Sequence, residues 1–180
     1  MTELVPYRKK RRVSLYILVG CCLFALLFGS WRTVRARRQK ALDVFYEDMG
    51  VQYDLDVRRQ QAYSMVSVAL NYLPESDKRV KNLLECREDM TTDSIKKKYK
   101  ANDALTRAAY ELESALSEQN LTERDEGTLK AISAQMNSAN MTIGHSDYNQ
   151  TARAFNEKVM KSPGGRIARL LGVKKLELFE

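Results

Sequence analysis

The chain has 180 residues, enough for one domain and an appendage, with a formal net charge of +7 and an isoelectric point near 9.3. Residues 1–40 hold ten Lys/Arg against one acid, Glu3, whereas residues 41–180 hold 20 basic and 22 acidic residues and come to −2. A nucleic-acid-binding domain would carry its positive charge on the domain itself, so that class is excluded.

In chain order, a basic segment over residues 1–12 leads into residues 13–31 (VSLYILVGCCLFALLFGSW), 19 residues without a charge. At the rise of a helix that stretch is roughly 28 Å long, the thickness of a bilayer's hydrocarbon. Arg8–Arg12 and Arg32–Arg38 bracket it, and Tyr16 and Trp31 suit its interfaces, so residues 13–31 are expected to span a membrane. A cleaved signal peptide would show small residues at a cleavage site followed by polar sequence. Leu18-Val19-Gly20-Cys21 offers a sharper alternative, a lipobox in which the first twenty residues are removed and Cys21 is acylated. Against it, the chain stays strongly apolar from Cys22 to Gly29. Five basic residues on either flank give the positive-inside rule no orientation. Cys21 and Cys22 lie in this stretch, and Cys86 stands alone beyond it, which rules out a disulfide framework or a zinc cluster.

Beyond the anchor only helical periodicity is found, and a bundle over residues 39–161 is expected. Val51, Leu55, Arg58, Ala62, Met65/Val66, Ala69 and Leu73 recur at three- and four-residue steps, with Leu42, Phe45 and Met49 extending the stripe backwards. This predicts a helix over about 39–73, continuous with the anchor and ended by Pro74. Pro74, Glu75 and Asp77 suit the first turn of a second helix, about 75–90. The cap residues Thr91 to Ser94 introduce a third, about 93–118, with Leu105, Ala109, Leu112 and Leu116 as its stripe. Thr122 or Asp125 caps a fourth, about 122–161. Its stripe of Leu129, Ile132, Met136, Ala139 and Ile143 resumes at Tyr148, Ala152, Phe155 and Val159 after a five-residue step, which marks a bend near Gly144-His145. Residues 162–180 form a closing segment with a short amphipathic helix. Stripes joined by short connections predict an all-α fold: a transmembrane helix followed by an antiparallel four-helix bundle.

Tyr148-Asn149 is followed seven residues later by Phe155-Asn156; Pro163-Gly164, Ile167-Ala168, Leu170 to Val173 and Phe179-Glu180 follow in order. These residues resemble the LemA family of bacterial membrane proteins, with a looser match at Leu55, Arg58, Met65-Val66 and Tyr72. The resemblance implies a membrane-held helical bundle in the bacterial cell membrane and no assigned chemistry. Two departures stand out. Ser138 and His145 occupy the places of the family's usual glutamate and arginine, and Tyr63-Ser64 replaces its Pro-Asn step.

Arg58 lies within an apolar stripe, so a carboxylate partner or a route to solvent is expected for it, a partner-binding role being the alternative. The seven-residue repeat puts Tyr148, Asn149, Phe155 and Asn156 on one helix face, as core packing with amides bonding a neighbour or as a partner surface. The single histidine, His145, has neither the nucleophile context of a triad nor partners for zinc. Ser162 to Gly165 is a helix stop, not a phosphate loop. Lys96 to Lys100 reads as a solvated face, and the sequons at Asn120, Asn140 and Asn149 as chance. No catalytic, metal or cofactor residues and no small-molecule substrate are evident. The expectation is a non-enzymatic scaffold meeting a protein partner or its own copies; the alternative is a lipid-surface or membrane-remodelling module using the basic flank and residues 166–175.

Overall fold

In a computed structural model, the backbone is described for residues 4–180 and the side chains for residues 12–180. The side chains of the basic segment 1–12 therefore lie outside the described residues, Arg12 excepted. The described residues are helical, without strands: α1 (Leu4–Tyr46), α2 (Val51–Ala69), α3 (Lys78–Asp89), α4 (Ile95–Ser117), α5 (Glu123–Gly144), α6 (Tyr148–Ala154), a π-helical turn (Phe155–Val159) and α7 (Pro163–Leu170). The chain divides into two compact units, one of Met1–Lys40 with Ala154–Leu176, the other of Ala41–Arg153 with Glu177–Glu180.

The second unit is the bundle. Its hub is α2, which packs on α5, α3 and α4, while α3 also packs on α4. The expected stripes form its core, with Val51, Leu55, Ala62, Met65 and Ala69 of α2 buried beside Leu105, Leu112 and Leu116 of α4 and Leu129, Ile132, Met136 and Ile143 of α5.

The helix expected over 39–73 is interrupted. α1 ends at Tyr46, and a turn precedes α2, with Met49 in the left-handed region at φ 71° and Gly50 capping α2. Met49 is exposed, so the spacing that joined it to the stripe did not reflect packing. The helix expected from 75 begins at Lys78. Pro74 to Asp77 form a turn closed by the Asp77 N–H donating to the Pro74 carbonyl at 2.9 Å, and the Asp77 carboxylate caps α3 by accepting from the Arg79 N–H at 2.8 Å. Ser94 and Thr122 cap α4 and α5, each accepting a backbone N–H three residues on. The fourth helix expected over 122–161 breaks at His145, the C-cap of α5, whose Nδ1 lies 2.7 Å from the Met141 carbonyl.

In the first unit, every residue from 12 to 29 is exposed although the stretch is apolar. This helix is long and apolar enough to cross a membrane, by length and composition. α7 starts at Pro163, capped by Ser162 Oγ accepting from the Gly165 N–H at 3.1 Å. A Cβ on Gly165 would stand 2.0 Å from the Val159 carbonyl oxygen, so only glycine lets the chain turn back this closely. Gly172, at φ 90°, ends α7: the Val173 N–H donates to the Ala168 carbonyl and the Gly172 N–H to the Arg169 carbonyl. This is a glycine-terminated helix end in which a left-handed residue satisfies the last carbonyls.

Candidate functional site

Tyr148 and Asn149 open α6, where Ser146 Oγ accepts from the Tyr148 N–H at 3.2 Å. A carboxamide carries one donor edge and one acceptor edge, the complement of the N–H and C=O that a single extended residue offers a neighbour. Asn149 uses both on Phe179: Nδ2 donates to its carbonyl and Oδ1 accepts from its N–H, each at 2.8 Å. Tyr148, buried, donates its hydroxyl to the Glu177 carbonyl at 2.7 Å. Its ring meets Phe45 edge-on at 4.9 Å, and Phe45 and Tyr99 contact Phe179 at 5.9 and 5.3 Å.

The Glu177 carboxylate accepts from Ser94 Oγ at 2.7 Å and from the Lys96 N–H at 3.2 Å, at the N-terminus of α4. These bonds, with the Lys96 charge, hold its carboxyl below the usual glutamate range. Arg153 pairs with the Glu180 carboxylate. Residues 177–180 are thus fixed by a tyrosine hydroxyl, a carboxamide, a helix cap and an ion pair, all within the bundle unit.

The second pair of the repeat acts in the first unit. Asn156 Nδ2 donates to the Leu176 carbonyl and its Oδ1 accepts from the Leu176 N–H, both at 2.9 Å, while Phe155 is buried. The π turn that begins at Phe155 is closed by the Met160 N–H donating to the Phe155 carbonyl at 3.0 Å. Arg38 Nε donates to the Lys174 carbonyl at 3.1 Å. Each asparagine of the repeat therefore makes the same two-bond contact, one in each unit.

Arg58 departs from expectation. It is only 1 % exposed, so it has no route to solvent, and among the described residues no carboxylate pairs with it. Instead Nη1 donates to the Met136 carbonyl at 2.9 Å and Nη2 to Thr106 Oγ1 at 2.6 Å, while buried Nε has no partner. Burial pulls its pKa down from the ordinary guanidinium range to about 10, leaving it charged at neutral pH. Thr106 Oγ1 donates its own hydrogen bond to the Asn102 carbonyl at 2.9 Å, and Asn102 Nδ2 donates to Asn140 Oδ1 at 3.1 Å. This polar seam joins α2, α4 and α5 through the core.

The solvated face expected at Lys96 to Lys100 holds for four of its residues. Lys98 is buried, its Nζ 3.4 Å from the Met90 carbonyl, and desolvation lowers its pKa against the pull of Asp56 and Asp93. Among the positions that depart from the family pattern, Ser138 and His145 are exposed, and Tyr63 lies under the Arg87 guanidinium at 5.4 Å.

The LemA family model matches residues 48–180. The chain belongs to the LemA family. The match begins in the turn before α2 and leaves the exposed apolar stretch outside it. No curated protein and no solved structure matches this LemA-family chain. Sequence reasoning found Tyr148, Asn149, Phe155 and Asn156 through their repeat. It did not find Ser94, Tyr99 or Glu177, because nothing local ties them to residues some 30 to 80 positions away.

Proposed function

We propose that this LemA-family chain is a non-enzymatic scaffold or protein-interaction module, held in the bacterial cell membrane by residues 13–31. Its helical bundle meets a protein partner or further copies of the chain. The observation that carries this reading is a division of labour. Tyr148, Asn149, Phe155, Asn156 and Arg58 are spent on the chain's own core and C-terminal segment, while residues 12–29 stay exposed and need a lipid surrounding. A carboxamide is neither acid nor base near neutral pH, so the repeated contacts suit structure rather than turnover. No cofactor, metal or small-molecule substrate enters this reading.

Residue-level crosslinking in native membranes, followed by purification in mild detergent, tests it. The expected result is a reproducible set of crosslinks from exposed bundle residues to one protein or to a second copy. A strictly monomeric chain without crosslinked neighbours would overturn it.

A further inference from the structure

The amphipathic sequence of α7 is folded the wrong way round for a helix that serves only its own unit. Small residues, Gly165 and Ala168, face inward and are buried. Two large apolar side chains at its end are left outward, Leu170 at 88 % and the C-cap Leu171 at 46 % exposure, with half-buried Ile167 one turn before them. Basic residues rim this short stripe, with Arg166, Arg169, Lys174 and Lys175 all exposed.

The position of α7 says what covers that stripe. A Cβ on Gly164 would lie 3.7 Å from Ser30 Oγ, so α7 starts beside the last turn of the apolar stretch 13–31. Leu171 to Lys174 share a shallow cleft with Trp31, Arg35 and Arg38, and Arg35 stands 5.1 Å over the Trp31 ring. Tryptophan and arginine at the end of an apolar span belong to the membrane interface. Charge agrees with this placement. The unit of residues 1–40 and 154–176 holds sixteen Lys/Arg against two acids, Glu3 and Glu157. An outward apolar stripe rimmed by cations, next to a membrane span, is the chemistry of a helix seated in an anionic lipid surface.

We propose that α7 is an interfacial helix: Leu170 and Leu171, flanked by half-buried Ile167, enter the headgroup–acyl boundary of an anionic bilayer, and Arg166, Arg169, Lys174 and Lys175 bind its phosphates. This rests on the reading of residues 13–31 as a membrane span, and the test separates the two. A shallow helix of this kind fixes the depth and rotation of the anchor, which a single span lacks on its own.

The full chain, with Cys21, Cys22 and Cys86 replaced by alanine, is reconstituted into phosphatidylglycerol or phosphatidylcholine vesicles. It carries one fluorophore at Leu170→Cys, Phe24→Cys or Tyr110→Cys, and brominated acyl chains serve as quenchers. The expected result is strong quenching at 24, only background quenching at 110, and quenching at 170 severalfold above that background. The signal at 170 is expected to weaken in phosphatidylcholine and in the R166E/R169E/K174E/K175E variant, with 24 unchanged. If 24 is quenched while 170 matches 110, the interfacial helix is overturned and the anchor stands. If 24 is not quenched, the anchor itself is overturned and this proposal with it. Equal quenching at 170 in both lipids would overturn the anionic preference.

Discussion

Asn149 and Phe179 exchange two hydrogen bonds of 2.8 Å, so one carboxamide side chain satisfies both backbone polar groups of a residue thirty positions away. Removing it leaves the Phe179 N–H and carbonyl to water or to burial without a partner. Asn149→Ala is expected to cost about 1–3 kcal/mol. Asn149→Asp is expected to cost at least as much, since it keeps an acceptor but turns it, charged, against the Phe179 carbonyl. Urea unfolding in detergent reads the loss, and hydrogen exchange at the Phe179 amide should accelerate in both variants. Unchanged exchange there would mean that the contact does not hold the segment.

Arg58 separates charge from packing. Burial lowers its pKa from the ordinary guanidinium range to about 10, so desolvation works against the buried charged form. Thr106 and the Met136 carbonyl have other bonding available within their helices, so removing the guanidinium strands little. Arg58→Met, which keeps the stem volume, is expected to raise stability by about 1–2 kcal/mol. Arg58→Ala opens a void and is expected to lower it by about 2–4 kcal/mol. Both are read from urea midpoints; equal losses in the two variants would show that the hydrogen bonds outweigh desolvation.

Glu177 makes part of the C-terminal dock sensitive to acid. Its carboxyl titrates below the ordinary 4.5 in the folded chain, chiefly because Ser94 and the Lys96 N–H donate to it. The unfolded chain therefore takes up the proton first. The stabilisation is fully present above pH 4.5 and is lost as the pH falls through the lower folded value. Exchange at the Lys96 amide, corrected for its intrinsic rate, should quicken on acidification in the wild-type chain. The profile of Glu177→Gln should be flat, and a pH-dependent Gln variant would assign the effect elsewhere.

Gly165 is a steric prediction. Its missing Cβ would sit 2.0 Å from the Val159 carbonyl oxygen and 2.7 Å from Met160 Cα, both backbone atoms that cannot swing away. Gly165→Ala is expected to cost about 3 kcal/mol. Hydrogen-exchange protection should fall across residues 155–165. A variant as stable as the parent would show that the chain does not turn back this closely.

Much of the bundle is legible in the sequence, because burial writes a helical period into it: Leu129, Ile132, Met136, Ala139 and Ile143 are all buried, as their spacing implies. Helix ends were readable where a side chain does the capping, as at Ser94 and Thr122. The turn after Tyr46 was not, since Met49 fits the stripe by spacing and leaves it only through a backbone angle that spacing does not encode. The Tyr148–Asn149 and Phe155–Asn156 repeat identified residues that matter but not what they touch. Their partners are backbone groups of residues 176, 177 and 179, and a backbone amide carries no residue-type signature. The absence of a carboxylate from the Arg58 pocket was equally hidden, because a carbonyl oxygen can do its work.

The division of charge has a practical consequence for anyone handling this protein. The unit of residues 1–40 and 154–176 carries +14, and the unit of residues 41–153 and 177–180 carries −7. An isoelectric point of 9.3 averages two regions of opposite sign and describes neither. In a neutral detergent the chain should bind anion-exchange and cation-exchange resins alike, each resin capturing the unit of opposite charge.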